Sequence, residues 1–94
     1  MSTSNLRVEY RRLRDLEDSG ERGARTHQEY VAAARAYAEE LALEMTEVSH
    51  GQASEHLEAA LAGVEAARSP EHKDDAISKL RVSIDEAEAL RGTR

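Results

Sequence analysis

Cysteine is absent, so neither a disulfide framework nor a thiolate metal site can hold this chain together. Tryptophan and phenylalanine are absent as well, which leaves three tyrosines as the whole aromatic complement of 94 residues. Large aliphatic groups are scarce: Val, Ile, Leu and Met together number 18. A core that thin comes out near zero when about 25 cal/mol per Å² of apolar burial is set against roughly 1.5 kcal/mol of ordering entropy per residue. Completion by self-association, most simply a dimer, is therefore expected. No apolar run approaches the roughly 18 residues needed to cross a bilayer, and MSTSNLRVEY lacks the apolar centre of a signal peptide, so a cytoplasmic protein with no membrane partner is expected. Lys and Arg are missing from residues 36–67, which hold seven Glu.

What the chain has is alanine and charge. Sixteen alanines and 34% charged residues favour helix over coil, and the single proline and four of the five glycines, all but Gly63, fall where helices would begin or end. The longest uninterrupted stretch runs from Glu29 to Val48. There Val31, Ala34, Ala38, Leu41, Met45 and Val48 recur every three or four residues and form one stripe, with Glu39, Glu40, Glu44 and Glu47 outside it. Leu6, Tyr10, Leu13 and Leu16 form a similar stripe behind a cap at Ser2, Thr3 or Ser4. The spacing continues in phase through Glu17, Gly20, Ala24 and His27, but two glycines three residues apart favour a break at 19–23.

Ser49-His50-Gly51 supplies the next stop, with Gly51 expected in the left-handed conformation that ends helices. Leu57, Ala60, Leu61, Val64 and Ala67 line a third helix, and Ser69-Pro70 opens a fourth through Ile77, Leu80, Ile84, Ala87 and Leu90. The fold class is all-α, one domain over residues 1–94, with helices over about 4–18, 25–48, 52–68 and 70–91. Two architectures satisfy it: a small four-helix bundle, and a helical hairpin turned at Gly51 and bent at 19–23 and 69–70, completed by dimerisation as in a coiled coil. Unequal segments favour the hairpin dimer.

Chemistry has little to stand on. No Gly-rich phosphate loop, no Ser/His/Asp order and no strand to present one can be found, so a non-enzymatic protein without cofactor is expected. Arg7, Arg11, Arg12 and Arg14 against Glu9 make the first fourteen residues +3, but the chain as a whole carries −6, which argues against nucleic acid. Tyr10, Tyr30 and Tyr37 read as packing residues with their hydroxyls in water. His27, on the apolar stripe, reads as a tolerated histidine or a pH-responsive contact.

The one constellation of note is acidic: Glu40, Glu44 and Glu47, then Glu55 and Glu58 across the turn. Carboxylates in the last turns of a helix oppose its dipole, and Glu40 and Glu44 repel one another a turn apart. A basic partner surface or a cation would offset that repulsion, so these five residues are the partner-binding candidates, set against the plainer reading of a solvated acidic face. Replacing Glu44 and Glu47 by Gln is expected to stabilise the helix by about 0.5 to 1 kcal/mol. Glu47 and His50 form a Glu-x-x-His pair which, with Glu44, resembles half of the site in encapsulated ferritin-like proteins; that resemblance implies metal candidates Glu44, Glu47 and His50 in a site shared across a dimer. Ser49-His50-Gly51-Gln52-Ala53 with Leu57 resembles the turn of WXG100-type secreted helical hairpins, with Ser in place of the tryptophan. Alanines at 32–34, 36, 38, 42, 59, 60, 62, 66 and 67 form an Ala-rich stripe on the second and third helices that would let them approach closely. The primary expectation is a helical protein–protein interaction protein, an adaptor, inhibitor or assembly component, acting through that stripe and the acidic turn on a partner that the residues do not identify.

Overall fold

Every apolar stripe becomes a helix, and the first break and the opening of the last helix fall at residues that disfavour helix continuation, Gly20 and Ser69-Pro70. The computed structural model describes residues 3–20, 23–47 and 50–92. They form α1 (Thr3–Asp18), α2 (Ala24–Glu47), α3 (Gly51–Ala66) and α4 (Pro70–Gly92), with no strand among the described residues. None of these helices is long and apolar enough to cross a membrane. Ser2, Val48 and Ser49, and the side chains of Thr3 and Ser4, lie outside what is described, and with them the expected first cap and part of the second turn.

The first break is real, so the alternative of one continuous helix through the first 48 residues does not hold. Ser19 N–H donates to the Asp15 carbonyl at 2.9 Å, its hydroxyl to the Leu16 carbonyl at 2.9 Å, and Gly20 then turns left-handed at φ +87°. Only glycine takes that conformation without a Cβ penalty.

The second turn is made differently from expectation. Gly51 is not left-handed; it is the first residue of α3, and Gly20 has the only positive φ among the described glycines. The reversal is carried by His50 instead, whose N–H donates to the Met45 carbonyl at 2.7 Å and whose backbone sits at φ −105°, ψ 55°. A hydrogen bond that spans five residues closes the end of α2 without help from a glycine.

At the third break, α3 stops at Ala66, two residues before the expected end, and Ala67 is extended at φ −65°, ψ 129°. Ser69 caps α4 as its position implies: its hydroxyl accepts from His72 N–H at 3.2 Å and its carbonyl from Lys73 N–H at 2.9 Å.

The chain divides into two compact units, residues 1–37 and 38–94, with the boundary inside α2. In the first unit, Tyr30 and Tyr37 lie two turns apart on one face of α2, and Tyr10 of α1 packs against both, with ring centroids 6.0 and 5.4 Å away. Their exposures are 0% for Tyr10 and Tyr37 and 2% for Tyr30, so the expectation of wet hydroxyls is wrong. Arg14 compensates at Tyr10, its guanidinium 5.9 Å from the ring centroid and its Nη1 donating to the hydroxyl at 3.5 Å. Leu13 and Ala34 complete this core. Glu17 and His27, the two polar residues on the shared stripe, meet each other: His27 Nδ1 is hydrogen-bonded to Glu17 Oε2.

The second unit buries Leu41 and Met45 from α2, Leu57 from α3, and Leu80 and Ile84 from α4, with Ala38, Ala42, Ala53, Ala76 and Ala87 between them. Small residues at facing positions let helices come close enough for few large side chains to fill the space. One polar knot joins α2 to α3 inside this unit. Ser54, only 5% exposed, donates to the Ala42 carbonyl at 2.9 Å, and Thr46 donates to Ser54 Oγ at 2.9 Å or to the same carbonyl at 3.0 Å.

Candidate functional site

The acidic residues around the second turn are sorted by the fold into different environments. Glu40 is half-buried, Glu47, Glu55 and Glu58 are exposed, and His50 is half-buried ahead of α3. Glu44 has a partner that periodicity did not suggest: Arg91 Nε lies 3.0 Å from its Oε1. Arg91 stands in the last turn of α4, where a cation suits that helix's own dipole, and it offsets the unfavourable place of Glu44 at the end of α2. The contact is single rather than forked, since Glu44 Oε2 and Arg91 Nη1 are buried without hydrogen bonds.

Across the turn, His56 of α3 pairs through Nδ1 with Glu86 Oε1 of α4 at 3.0 Å, with both side chains about half exposed. His56 and His27 thus each tie one helix to another through a carboxylate. Among the described residues, no three carboxylate, imidazole or thiol groups converge where a metal ion would be held.

A second feature lies on the opposite side of α3 from its buried residues. Ala59, Ala62, Gly63 and Ala66 face solvent there. Ala59, Ala60, Gly63, Ala66 and Ala67, with Ala76 of α4, form an open groove of about 360 Å³. His72, Asp75 and Lys79 stand along its α4 side, and Lys79 Nζ is 3.3 Å from Asp75 Oδ2. A Cβ built on Gly63 would meet nothing within 4 Å, so nothing inside the chain requires glycine at that helical position.

The sequence picked out the Ala-rich stripe and the acidic turn. It did not pick out Arg91, Glu86 or Ser54, because each acts through a residue on another helix and none interrupts the local pattern. The groove was legible only as small residues, since which of them face outward depends on where α4 lies against α3. No protein-family model, no curated protein and no solved structure matches the chain, and neither resemblance noted in the sequence gains a relative.

Proposed function

We propose that this chain is a non-enzymatic helical protein that works by binding another protein, with the outward-facing part of its Ala-rich stripe as the docking surface. The observation that carries the reading is the α3–α4 groove. A surface helix ordinarily turns a charged face to water, whereas α3 turns Ala59, Ala62, Gly63 and Ala66 outward between Glu55, Glu58 and Glu65. Such a face lets the backbone of a partner helix approach closely. Gly63 adds support, because an exposed glycine inside a helix costs roughly 1 kcal/mol relative to alanine and here has no intrachain reason to be glycine. A helical partner with basic flanks fits the small-residue shape of the groove and the exposed carboxylates that α3 carries on the same helix, among them the candidates Glu55 and Glu58. Self-association belongs to the same reading, because so few large side chains are available to each copy.

The test is a paired capture from the source organism using the wild-type chain and Gly63→Arg, a good helix former whose Cβ meets nothing within 4 Å and whose long side chain obstructs the groove. A protein retained by the first and lost by the second, at equal far-ultraviolet dichroism, supports the reading. Identical captures refute it.

A further inference from the structure

Two of the exposed large apolar side chains head matching patterns of opposite charge. On α1, Val8 is 68% exposed and is followed three and four residues on by Arg11 and Arg12. On α4, Val82 is 65% exposed and is followed at the same spacing by Asp85 and Glu86. Residues three and four apart share a helix face, so each valine heads a strip with two like charges one turn on, and all six side chains are exposed. The wider field has the same sense. Residues 1–37 carry seven basic against six acidic side chains, a net +1, while residues 38–94 carry six against thirteen, a net −7.

We infer that these strips are the two halves of one contact, and that each receives the other from a second copy of the chain. Laid side by side with the helices running the same way, Val8 meets Val82 and the two arginines face the two carboxylates. The apolar pair excludes water at the centre, and the charges set direction and register. All four charged side chains of the two strips already interact within the chain, Arg11 and Asp85 included, and all four are exposed, so the contact competes with exchangeable surface pairs. Arg12 holds Glu9 at 2.6 Å and Glu86 holds His56 at 3.0 Å, but all four side chains are about half exposed, and exposed pairs contribute little and exchange readily.

A single helical strip is smaller than a standard interface of about 1,600 Å², so the association is weak and sensitive to salt. Each copy bears one strip of each sign, so the contact is head-to-tail. It closes into a pair where two copies can exchange both strips and extends further where they cannot. The inference rests on reading the chain as a protein-binding one, yet it uses none of the residues that line the groove.

Sedimentation at high protein concentration, in low salt and again in roughly 1 M salt where charges are screened within about 3 Å, reads it directly. The wild-type chain should form dimers or longer assemblies in low salt and associate at least about tenfold more weakly in high salt. Arg11→Glu with Arg12→Glu should give a monomer, and so should Asp85→Arg with Glu86→Arg. Mixing these two variants should restore association, because the acidic α1 strip of one then faces the basic α4 strip of the other. The uncharged changes Val8→Ser and Val82→Ser should each weaken association and serve where a charge-reversed chain does not fold. A monomeric wild type in low salt, or a mixture of folded variants that stays monomeric, overturns the inference. The Gly63→Arg capture remains a separate measurement, so loss of self-association and loss of the groove partner are told apart.

Discussion

Arg91 of α4 donates through Nε to Glu44 Oε1 of α2 at 3.0 Å, so the two carboxylates in the last turn of α2, which looked alike in the sequence, are unlike in the fold. Glu47 is exposed and opposes the helix dipole, whereas Glu44 opposes it while paired with a cation. The expectation that replacing both by Gln gives one additive gain therefore separates into two. Glu47→Gln should stabilise by a few tenths of a kcal/mol. Glu44→Gln should cost about 1 kcal/mol, because it leaves a half-buried guanidinium without its counter-charge. Denaturant midpoints for Glu44→Gln, Arg91→Gln and the double variant form a cycle, and a coupling indistinguishable from zero would remove the pair from the account.

Ser54 is the next test. Its hydroxyl is buried and bonded to both Ala42 and Thr46, so Ser54→Ala should destabilise by about 1 kcal/mol, with Thr46 left to donate to the Ala42 carbonyl. Ser54→Leu should cost more, since it adds volume to a position 5% exposed between two helices. A neutral Ser54→Ala would show that the hydroxyl cycle does not hold α2 to α3.

The glycines should respond with opposite signs. Gly63→Ala should raise stability by about 0.5 to 1 kcal/mol, because an added methyl meets open space and helix propensity improves. Gly20→Ala should lower it by about 1 kcal/mol, because φ +87° is strained for any residue with a Cβ. Equal effects at the two positions would mean that backbone conformation does not distinguish them. If Gly63→Ala also reduces partner capture, the glycine is explained by the groove.

How much of this was legible follows from where the cause of each feature resides. The break after Asp18, the opening of α4 at Ser69-Pro70 and the apolar stripes are written locally, by glycine, by proline with a capping serine, and by spacing, and they stand in the structure within two residues. Gly51 shows the limit of local reading. A glycine after a helix usually takes the left-handed turn, but here the His50 N–H reaches the Met45 carbonyl and the glycine begins the next helix instead. The tyrosine hydroxyls were misjudged because burial depends on the facing helix, and no local pattern says that Tyr10 lies against Tyr30 and Tyr37. Glu17 and His27 could have been paired from sequence, since they are the two polar side chains on one otherwise apolar stripe. Arg91 could not, because it is far from Glu44 in the chain and is an ordinary cation at the end of an ordinary helix.

A pH experiment follows from α1. The hydrogen bond from Arg12 holds the Glu9 carboxyl below its ordinary value of 4.5, and Glu9 in turn raises Arg12. A carboxylate whose folded value is depressed stabilises the folded form above its unfolded value and loses that contribution as pH falls through the folded one. The helicity of α1 should therefore decline slightly on acidification below the ordinary glutamate range, and less in Glu9→Gln. A carboxyl-resolved NMR titration should place the Glu9 midpoint below 4.5 in the wild-type chain and return it toward that value in Arg12→Ala or in high salt. An unchanged midpoint in Arg12→Ala would show that the pair does not persist in solution.

The packing of Tyr10, Tyr30 and Tyr37 also makes the chain optically asymmetric. With no tryptophan or phenylalanine, the aromatic absorbance, near-ultraviolet dichroism and intrinsic emission all arise from residues 1–37, whereas the peptide-bond dichroism arises from all four helices. Heating followed at the tyrosine band and at the peptide band thus watches different populations of residues in the same molecule. If the two curves superimpose, the units lose structure together, with α2 as the element common to both; if they separate, the tyrosine curve identifies which unit goes first.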